Sequence, residues 1–372
     1  MIYIAVFCIS LLFAYRANQA AKRSNRLLML VLSICSIILP VLLAGYRDLS
    51  IGTDTFNYTL IFSNICYCSD FRECIQLYPS IEKGYLLLNY LIGLMSNDPR
   101  FFLTVVHSLI VIPIYVSFFN LRSWLSPVLS LTIFFFVFYN ESYNLTRQYI
   151  SIALMLLAAS YYIKHKYFLY VIITILSVSM HNTALLGLFF PLFYWCTKHL
   201  RVNKHLFFYL LLTVLIVFVF LNLQRLGFFA SFSSEMSDKY EVYMSGQASS
   251  MSVSNSTLIL YLAVFFLLMF KLLNVKKTSP LIDTFALLSL LSVLFVNMSS
   301  IARALYRLSL DFSIYSSLSI SMLFHKKNNI LIDAHEYPAI IKILFISLLI
   351  IYWVFSVIIR GSNDTFPYVF NF

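Results

Sequence analysis

The residues of this chain able to do chemistry fall in a few short stretches, each at helical spacing or at a helix end. Asn144, Arg147, Gln148 and Ser151 stand at i, i+3, i+4 and i+7, which puts all four on one stripe of a helix that is otherwise apolar. Ser300, Arg303, Arg307 and Asp311 repeat the arrangement, and at 1.5 Å per residue Asp311 lies roughly 12 Å along the axis from Arg303. Arg47, Asp48 and Asp54 sit within the segment Gly45–Tyr58, Asn140 and Glu141 precede the first stripe, and His181-Asn182 forms a tight turn between two apolar runs. Guanidinium is permanently charged and grips phosphate oxygens in a bidentate fork, so three or four arginines beside lipid suit a phosphate or pyrophosphate, with a polyprenyl pyrophosphate as the natural ligand. These stretches offer no Asp-x-Asp or His-x-x-His pair. The expectation is therefore no metal and no cofactor, with arginine balancing the charge on a departing pyrophosphate.

The elements that must position these groups are membrane helices. With 61% apolar and only 11% charged residues, the chain is far from a soluble composition. Twelve runs read as spans: Ile2–Ala14, Leu27–Ala44, Phe101–Phe119, Ser126–Tyr139, Leu145–Ile163, Tyr167–Met180, Thr183–Cys196, Leu206–Leu223, Thr257–Leu273, Leu281–Met298, Ala304–Phe324 and Pro338–Ile359. The fold class expected is thus an all-α integral membrane protein, a single polytopic domain over residues 1–372. The first run reads as a span and not as a cleaved signal, because its basic flank follows it and no small-residue cleavage site appears.

Orientation follows from lysine and arginine, which concentrate in cytoplasmic loops. The groups Arg16/Lys22/Arg23/Arg26, Lys164/Lys166, Lys198/Arg201/Lys204, Lys271/Lys276/Lys277 and Lys326/Lys327 all lie inside only if Gly84–Met95 does not cross. That apolar segment, residues 84–95, is short for a span and reads as a re-entrant or interfacial helix within a long external loop, residues 45–100. A second long external loop covers residues 224–256. On this topology Arg47, Asp48, Asp54, Glu141, Asn144, Arg147, Gln148, His181, Arg303 and Arg307 gather at the external face. The net charge of +11 is mostly this topological signal, and nucleic acid is not an expected partner.

Plainer readings stand beside these. Arg47 next to Asp48 also fits an interfacial anchor, and Arg307 with Asp311 an intrahelical pair. His107, inside an apolar run, reads as an interhelical hydrogen-bonder. Asp333, His335 and Glu336 fall on the cytoplasmic side, as a solvated connection. Among Cys66, Cys68 and Cys74 of the external loop a disulfide is chemically permitted and its pairing is open.

Three motifs, taken in order, resemble a known family. Gly45-Tyr46-Arg47 through Gly52-Thr53-Asp54-Thr55 to Tyr58, then Asn144-Leu145-Thr146-Arg147-Gln148, then His181-Asn182-Thr183-Ala184 resemble the EpsG-like family and the wider Wzy-type polysaccharide polymerases. The likeness extends to Arg303 with Tyr306 and to Pro367-Tyr368. The register Arg303-Ala304-Leu305-Tyr306-Arg307 leaves open which arginine carries the family's late role.

The resemblance implies a metal-independent glycosyltransferase with a GT-C-like fold in the bacterial inner membrane, its active site on the periplasmic side. Such an enzyme joins undecaprenyl-pyrophosphate-linked oligosaccharide repeat units, as donor and acceptor, into O-antigen or a similar surface polysaccharide. A chain-length regulator and a flippase are its candidate membrane partners. The family's first external loop commonly carries an acidic residue. As catalytic groups the reading assigns Asp54, Arg147, His181 and Arg303, with Asp54 first as general base and His181 and Glu141 as its rivals. As substrate-binding groups it assigns Arg47, Tyr58, Glu141, Asn144, Gln148, Tyr306 and Arg307. A flippase for the same lipid-linked sugar is the alternative, weakened by the gathering of polar groups at one face and the absence of matching halves. An O-acyltransferase is disfavoured because the chain lacks the histidine motif such an enzyme needs.

Overall fold

A computed structural model of the protein describes residues 2–199, 279–297, 303–325 and 339–370, with isolated helical positions at 260, 263, 264 and 267. Among the described residues the chain is helical and has no strand; one antiparallel bridge joins Arg47 to Phe370. It divides into two compact units, the first formed by Met1–Phe190, Phe324–Lys327 and Tyr337–Phe372, the second by Pro191–Leu323 and Asn328–Glu336. The expected loop 224–256, the span Leu206–Leu223 and the Asp333/His335/Glu336 cluster lie outside the described residues, as does most of Thr257–Leu273.

The first unit opens with a helical hairpin, α1 (Ile2–Lys22) and α2 (Arg26–Gly45). Asn25 caps α2 by accepting from the Leu28 amide, and Ser10 and Ser36 exchange side-chain to carbonyl hydrogen bonds of 2.6 and 2.8 Å across the pair. In a bilayer such small hydroxyl residues let helices approach closely and tie them together. Three short helices follow, α3 (Thr55–Cys66), α4 (Phe71–Leu77) and α5 (Lys83–Gly93), none long enough to cross a membrane. Helix α5 overlaps the segment read as interfacial. Next come α6 (Pro99–Asn120), α7 (Pro127–Ile133), α8 (Thr146–Ile163) and α9 (Tyr167–Met180). α6 begins on an Asp98 cap with proline in its first turn, where the missing N–H costs nothing.

Chain direction sorts the ends of these helices. α2 and α9 finish, and α6 and α8 begin, at one end of the unit, which collects Gly45, Arg100, Arg147 and His181. The opposite end collects Lys22, Arg23, Arg26, Arg122, Lys164 and Lys166. The strand-like C-terminal tail returns to the first end, where the Tyr3 hydroxyl donates to Thr365 O (2.8 Å) and the Tyr368 hydroxyl to Leu43 O (2.6 Å).

Among the described residues, four helices are long and apolar enough to span: Ile2–Lys22, Arg26–Gly45, Pro99–Asn120 and Ile340–Ile359. Pro127–Phe138, Tyr167–Met180 and Pro280–Val296 are shorter apolar helices. Of the other expected spans, Leu206–Leu223 and most of Thr257–Leu273 lie outside the described residues. α8 has 18 residues, yet Arg147 and Gln148 in its first turn keep it out of the apolar class, and its remaining length is largely buried in protein.

Three expected spans are not single α-helices. Ser126–Tyr139 runs as α7 and then as a π-turn over Phe134–Phe138, closed by the Tyr139 amide on Phe134 O. Thr183–Cys196 is a 3-10 segment, Asn182–Phe189, followed by α10 (Phe190–His199). Pro191 has no N–H to return to Gly187 O, and that carbonyl accepts from the Phe190 amide and from the Tyr170 hydroxyl at 3.0 Å.

In the second unit, α11 (Pro280–Asn297) is followed by α12 (Arg303–Ser313) and α13 (Ser316–Leu323), so Ala304–Phe324 is two helices with a turn at Ile314–Tyr315. Ser313 and Ser317 hydroxyls bond carbonyls three residues back (3.0 and 2.6 Å), the local competition that weakens a helix interior. Within this unit Ser289 and Ser319 pair at 3.0 Å and Phe285 stacks on Tyr315. In the first unit, α14 (Ala339–Trp353) continues into a π-turn, Val354–Ile359.

Candidate active site

Glu82 is where the first unit's polar chemistry meets. It occupies the N-cap position of α5, yet its side chain makes no cap hydrogen bond to its own helix. The carboxylate instead reaches across to two other elements. Oε2 accepts from Arg147 Nη1 at 2.6 Å, in the first turn of α8, and Oε1 lies 2.9 Å from His181 Nδ1, at the end of α9. A carboxylate oxygen at neutral pH only accepts, so His181 Nδ1 carries the hydrogen and Nε2 is left as the basic nitrogen.

Close packing of α5 on α9 makes this reach possible. A Cβ on Gly84 would come within 2.4–2.6 Å of Ser179, so glycine is what allows the start of α5 to lie directly on the last turn of α9. Two residues before Gly84 stands Glu82; two after Ser179 stands His181. The cluster is partly open: side-chain exposures are 26% for Arg147, 14% for His181 and 11% for Glu82. Burial by itself would raise the Glu82 carboxyl, but the His181 hydrogen bond and the Arg147 charge outweigh it and hold the group at about 2, against 4.5 for an ordinary glutamate.

Tyrosines frame the guanidinium. The Tyr85 ring lies with its centroid 5.8 Å from Arg147 Cζ, Tyr58 is hydrogen-bonded at the same guanidinium, and the two rings meet edge to face at 6.2 Å. Tyr85 and Asn89, one turn apart on the buried face of α5, are fully enclosed, and among the described residues Tyr85 Oη and Asn89 Oδ1 meet no hydrogen-bond partner.

Arg47 is placed quite differently from Arg147. It is fully buried beyond the end of α2, where Nη1 donates to Ala44 O at 2.5 Å and Nε and Nη2 donate to Thr55 Oγ1 at 3.3 and 3.2 Å. The Tyr143 ring closes one face at 4.2 Å, and the His107 ring lies 3.5 Å from Nη1. His107 Nδ1 donates to Leu103 O at 2.9 Å, and Arg47 Nη1 is equidistant from the two ring nitrogens. Burial lowers the guanidinium's pKa, opposed by the Tyr143 and Tyr139 hydroxyls.

The rest of Gly45–Tyr58 is tied to the C-terminal tail. The Asp48 amide bonds Val369 O (2.9 Å) and the Gly52 amide bonds Asp364 O (2.7 Å). Gly52 sits at φ +95°, where a Cβ would strike Asn144 Oδ1 and Thr55 Oγ1. The Asp48 carboxylate accepts from the Ser50 amide and hydroxyl, which lowers its pKa.

The other sequence-derived candidates can be placed one by one. Asn144 donates to Asn363 O in the tail (3.0 Å), and Asn140 binds Thr365 Oγ1 (2.9 Å) while accepting from Trp353 Nε1 (2.8 Å). Glu141 accepts from the Tyr149 hydroxyl at 2.8 Å. Gln148 is buried in α8. Asp54 stands at the N-cap of α3, half-buried, without a cap hydrogen bond, its Oδ1 3.3 Å from Thr53 Oγ1. Arg303, Tyr306 and Arg307 lie on α12 of the second unit, where Asp311 is buried; the Arg303 side chain lies outside the described residues.

Sequence reasoning thus named Arg147 and His181 and missed the carboxylate that joins them. The signal was present: Glu82 stands two residues before the segment read as an interfacial helix, in the loop where an acidic residue was sought. Among the described residues no group of three or more His, Cys, Asp or Glu is placed to hold a metal, and all six cysteines are free thiols.

No curated protein and no solved structure matches this chain. The family comparison does find a match, and it takes in Arg47, Glu82, Arg147, His181 and Arg303 alike: the EpsG family profile aligns with residues 30–370, nearly the whole chain, and the protein belongs to the EpsG family, a family of membrane polysaccharide polymerases.

Proposed function

We propose that this protein joins lipid-linked oligosaccharide repeat units, transferring the growing glycan from a polyprenyl pyrophosphate, undecaprenyl in bacteria, to a sugar hydroxyl of the incoming unit. The observation that carries the reading is the Glu82 carboxylate bridging Arg147 and His181, a permanent cation and a base side by side in a half-open site. Arg147 binds the pyrophosphate oxygens and stabilises their charge as the anomeric bond breaks. His181 Nε2 takes the proton of the attacking hydroxyl, its ring oriented through Nδ1 by Glu82, as a carboxylate orients histidine in hydrolytic triads. Tyr58 flanks the phosphate.

Arg47 and Asn144 serve as structural ties at the same end of the unit, while Asp54, Glu141 and Gln148 remain candidates for sugar contact. Arg303, Tyr306 and Arg307 supply a second phosphate-binding set. The basic residues collected at the far end of the first unit support a periplasmic site in the bacterial inner membrane. Breaks at Phe134 and Asn182 are compatible with a GT-C-like bundle whose complete count is twelve spans.

The test is complementation of a polymerase-deficient strain with Arg147→Ala and His181→Ala at wild-type abundance. Surface lipid bearing a single repeat unit is the expected product of each variant. Full-length polymer from either one excludes that residue from the reaction, and loss of all surface glycan favours a flippase.

A further inference from the structure

We propose that Glu82 is a donor-gated latch: it occupies Arg147 in the empty enzyme, yields that arginine to the donor's pyrophosphate, and is thereby released to support His181 as base. This deepens the polymerase reading and rests on it. Glu82 has two oxygens and two cationic or proton-bearing partners, Oε2 on Arg147 at 2.6 Å and Oε1 on His181 at 2.9 Å. Phosphate oxygens seek the same guanidinium edge that Oε2 covers, so donor and carboxylate compete for it.

The groups facing Glu82 can be named element by element. α8 contributes Arg147, the end of α9 contributes His181, and α5 contributes Lys83 and Tyr85, the former exposed and the latter buried. Tyr58 of α3 approaches through Arg147. Besides Arg147, His181 is the group among these that the carboxylate touches, so negative charge released from Arg147 falls on the imidazole. A carboxylate on Nδ1–H favours the imidazolium that forms when Nε2 takes a proton.

The step balances without an added reactant. The acceptor hydroxyl oxygen forms a bond to the anomeric carbon, whose bond to the pyrophosphate oxygen breaks. The hydroxyl proton passes to His181 Nε2, and the pyrophosphate leaves with the electron pair, its charge matched by Arg147. Without donor, Arg147 holds Glu82 and the acceptor's hydroxyl is not activated. Glu82 is on this account a positioning residue, acting through Arg147 and His181.

A merely structural ion pair and a latch differ in sign. Glu82→Gln, in full-length protein reconstituted in nanodiscs with a synthetic polyprenyl-pyrophosphate-linked unit, removes the competitor for Arg147. The expected result is a donor KM lowered by roughly fivefold, the scale of an ordinary coupling between sites. The same variant loses roughly 10²–10⁴ in kcat, as when a histidine loses its orienting carboxylate. A raised donor KM, or an unchanged kcat, overturns the proposal.

Glu82→Asp keeps the charge but cannot span both partners. It is read if the glutamine variant does not fold, and it is expected to move both parameters the same way to a lesser degree; a raised donor KM overturns the latch here too. Affinity for inorganic pyrophosphate separates the two readings. If wild-type protein extends no lipid-linked acceptor, the polymerase reading fails, while the latch still requires tighter pyrophosphate binding by Glu82→Gln and is overturned by equal or weaker binding.

Discussion

Arg47 and Arg147 belong to the same end of the same unit, and their surroundings differ in every respect that separates a structural cation from a functional one. Arg47 is sealed from solvent, and the partners found for it are a carbonyl, a threonine hydroxyl, a histidine ring and a tyrosine face. Arg147 is a quarter exposed and faces a carboxylate that a phosphate could replace. Burial fixes the first in one arrangement, because a desolvated guanidinium cannot leave its hydrogen bonds without a large cost. Exposure and a competing anion give the second a choice of partners. Motif spacing alone does not distinguish the two; enclosure does.

The largest effect follows from exchanging these roles. Arg47→Ala leaves the Thr55 hydroxyl and the Ala44 carbonyl buried without their donor and opens the cage under Tyr143. A destabilisation of about 2–6 kcal/mol is expected, from two buried acceptors left unsatisfied at about 1–3 kcal/mol each, and it is read as loss of membrane-inserted, monodisperse protein. Arg147→Ala should leave abundance near wild type and remove polymer. If Arg47→Ala accumulates normally while losing only activity, the division between structural and functional arginines fails.

Gly84→Val tests whether the site depends on the α5 to α9 approach. Its side chain would overlap Ser179, including that residue's carbonyl oxygen, so the helices must separate and carry Glu82 away from His181. A misplacement of about 1 Å costs on the order of 10² in rate, and polymer should shorten or vanish with no residue of the cluster altered. Wild-type polymer from this variant would show that the Glu82 contact is dispensable.

Acid sharpens the comparison in a way that mutation does not. The Glu82 carboxyl is at about 2 in the folded protein and 4.5 when ordinary. Its contribution is therefore complete above about pH 4.5 and is lost as pH falls toward 2, on the order of 3 kcal/mol over the whole range. Thermal unfolding of detergent-solubilised protein between pH 6 and 3 should show a fall in Tm that Glu82→Gln reduces. Arg47 has no carboxylate among its named partners and adds no acid-sensitive term of this kind.

What the sequence made legible was the part governed by composition and periodicity. The membrane class, the α5 segment as a non-spanning helix, and the stripe bearing Arg147 follow from apolar length and 3.6-residue spacing. The changes of helix type within runs were not legible, since Phe134–Phe138 is wholly apolar and Asn182–Phe189 largely so. In the second run the Tyr170 hydroxyl meets Gly187 O, a tertiary contact that local pattern does not announce. Glu82 escaped for a related reason. Its role comes from a contact 65 residues away in sequence to Arg147 and 99 away to His181, which no local pattern encodes. Asn144 shows the converse: its position on the polar stripe suggested a ligand contact, and the structure adds that its amide nitrogen holds the C-terminal tail.

The smallest expected effect bears on Asp54, the carboxylate that loop position and family likeness favoured as base. In the structure its Oδ1 meets Thr53 at 3.3 Å, it caps no amide of α3, and neither Arg147 nor His181 is among the partners found for it. A surface substitution away from a network is usually worth within ±0.5 kcal/mol, so Asp54→Asn should change stability little, and turnover by less than about twofold if Glu82 is the carboxylate that serves His181. Measuring kcat for Asp54→Asn and Glu82→Gln side by side decides between them. A loss confined to Asp54→Asn returns the base to the Gly52–Thr55 loop and leaves Glu82 as an ion pair that only positions Arg147. A loss confined to Glu82→Gln means that the carboxylate serving His181 lies at the start of α5, where glycine packing and not motif spacing brings it to the site.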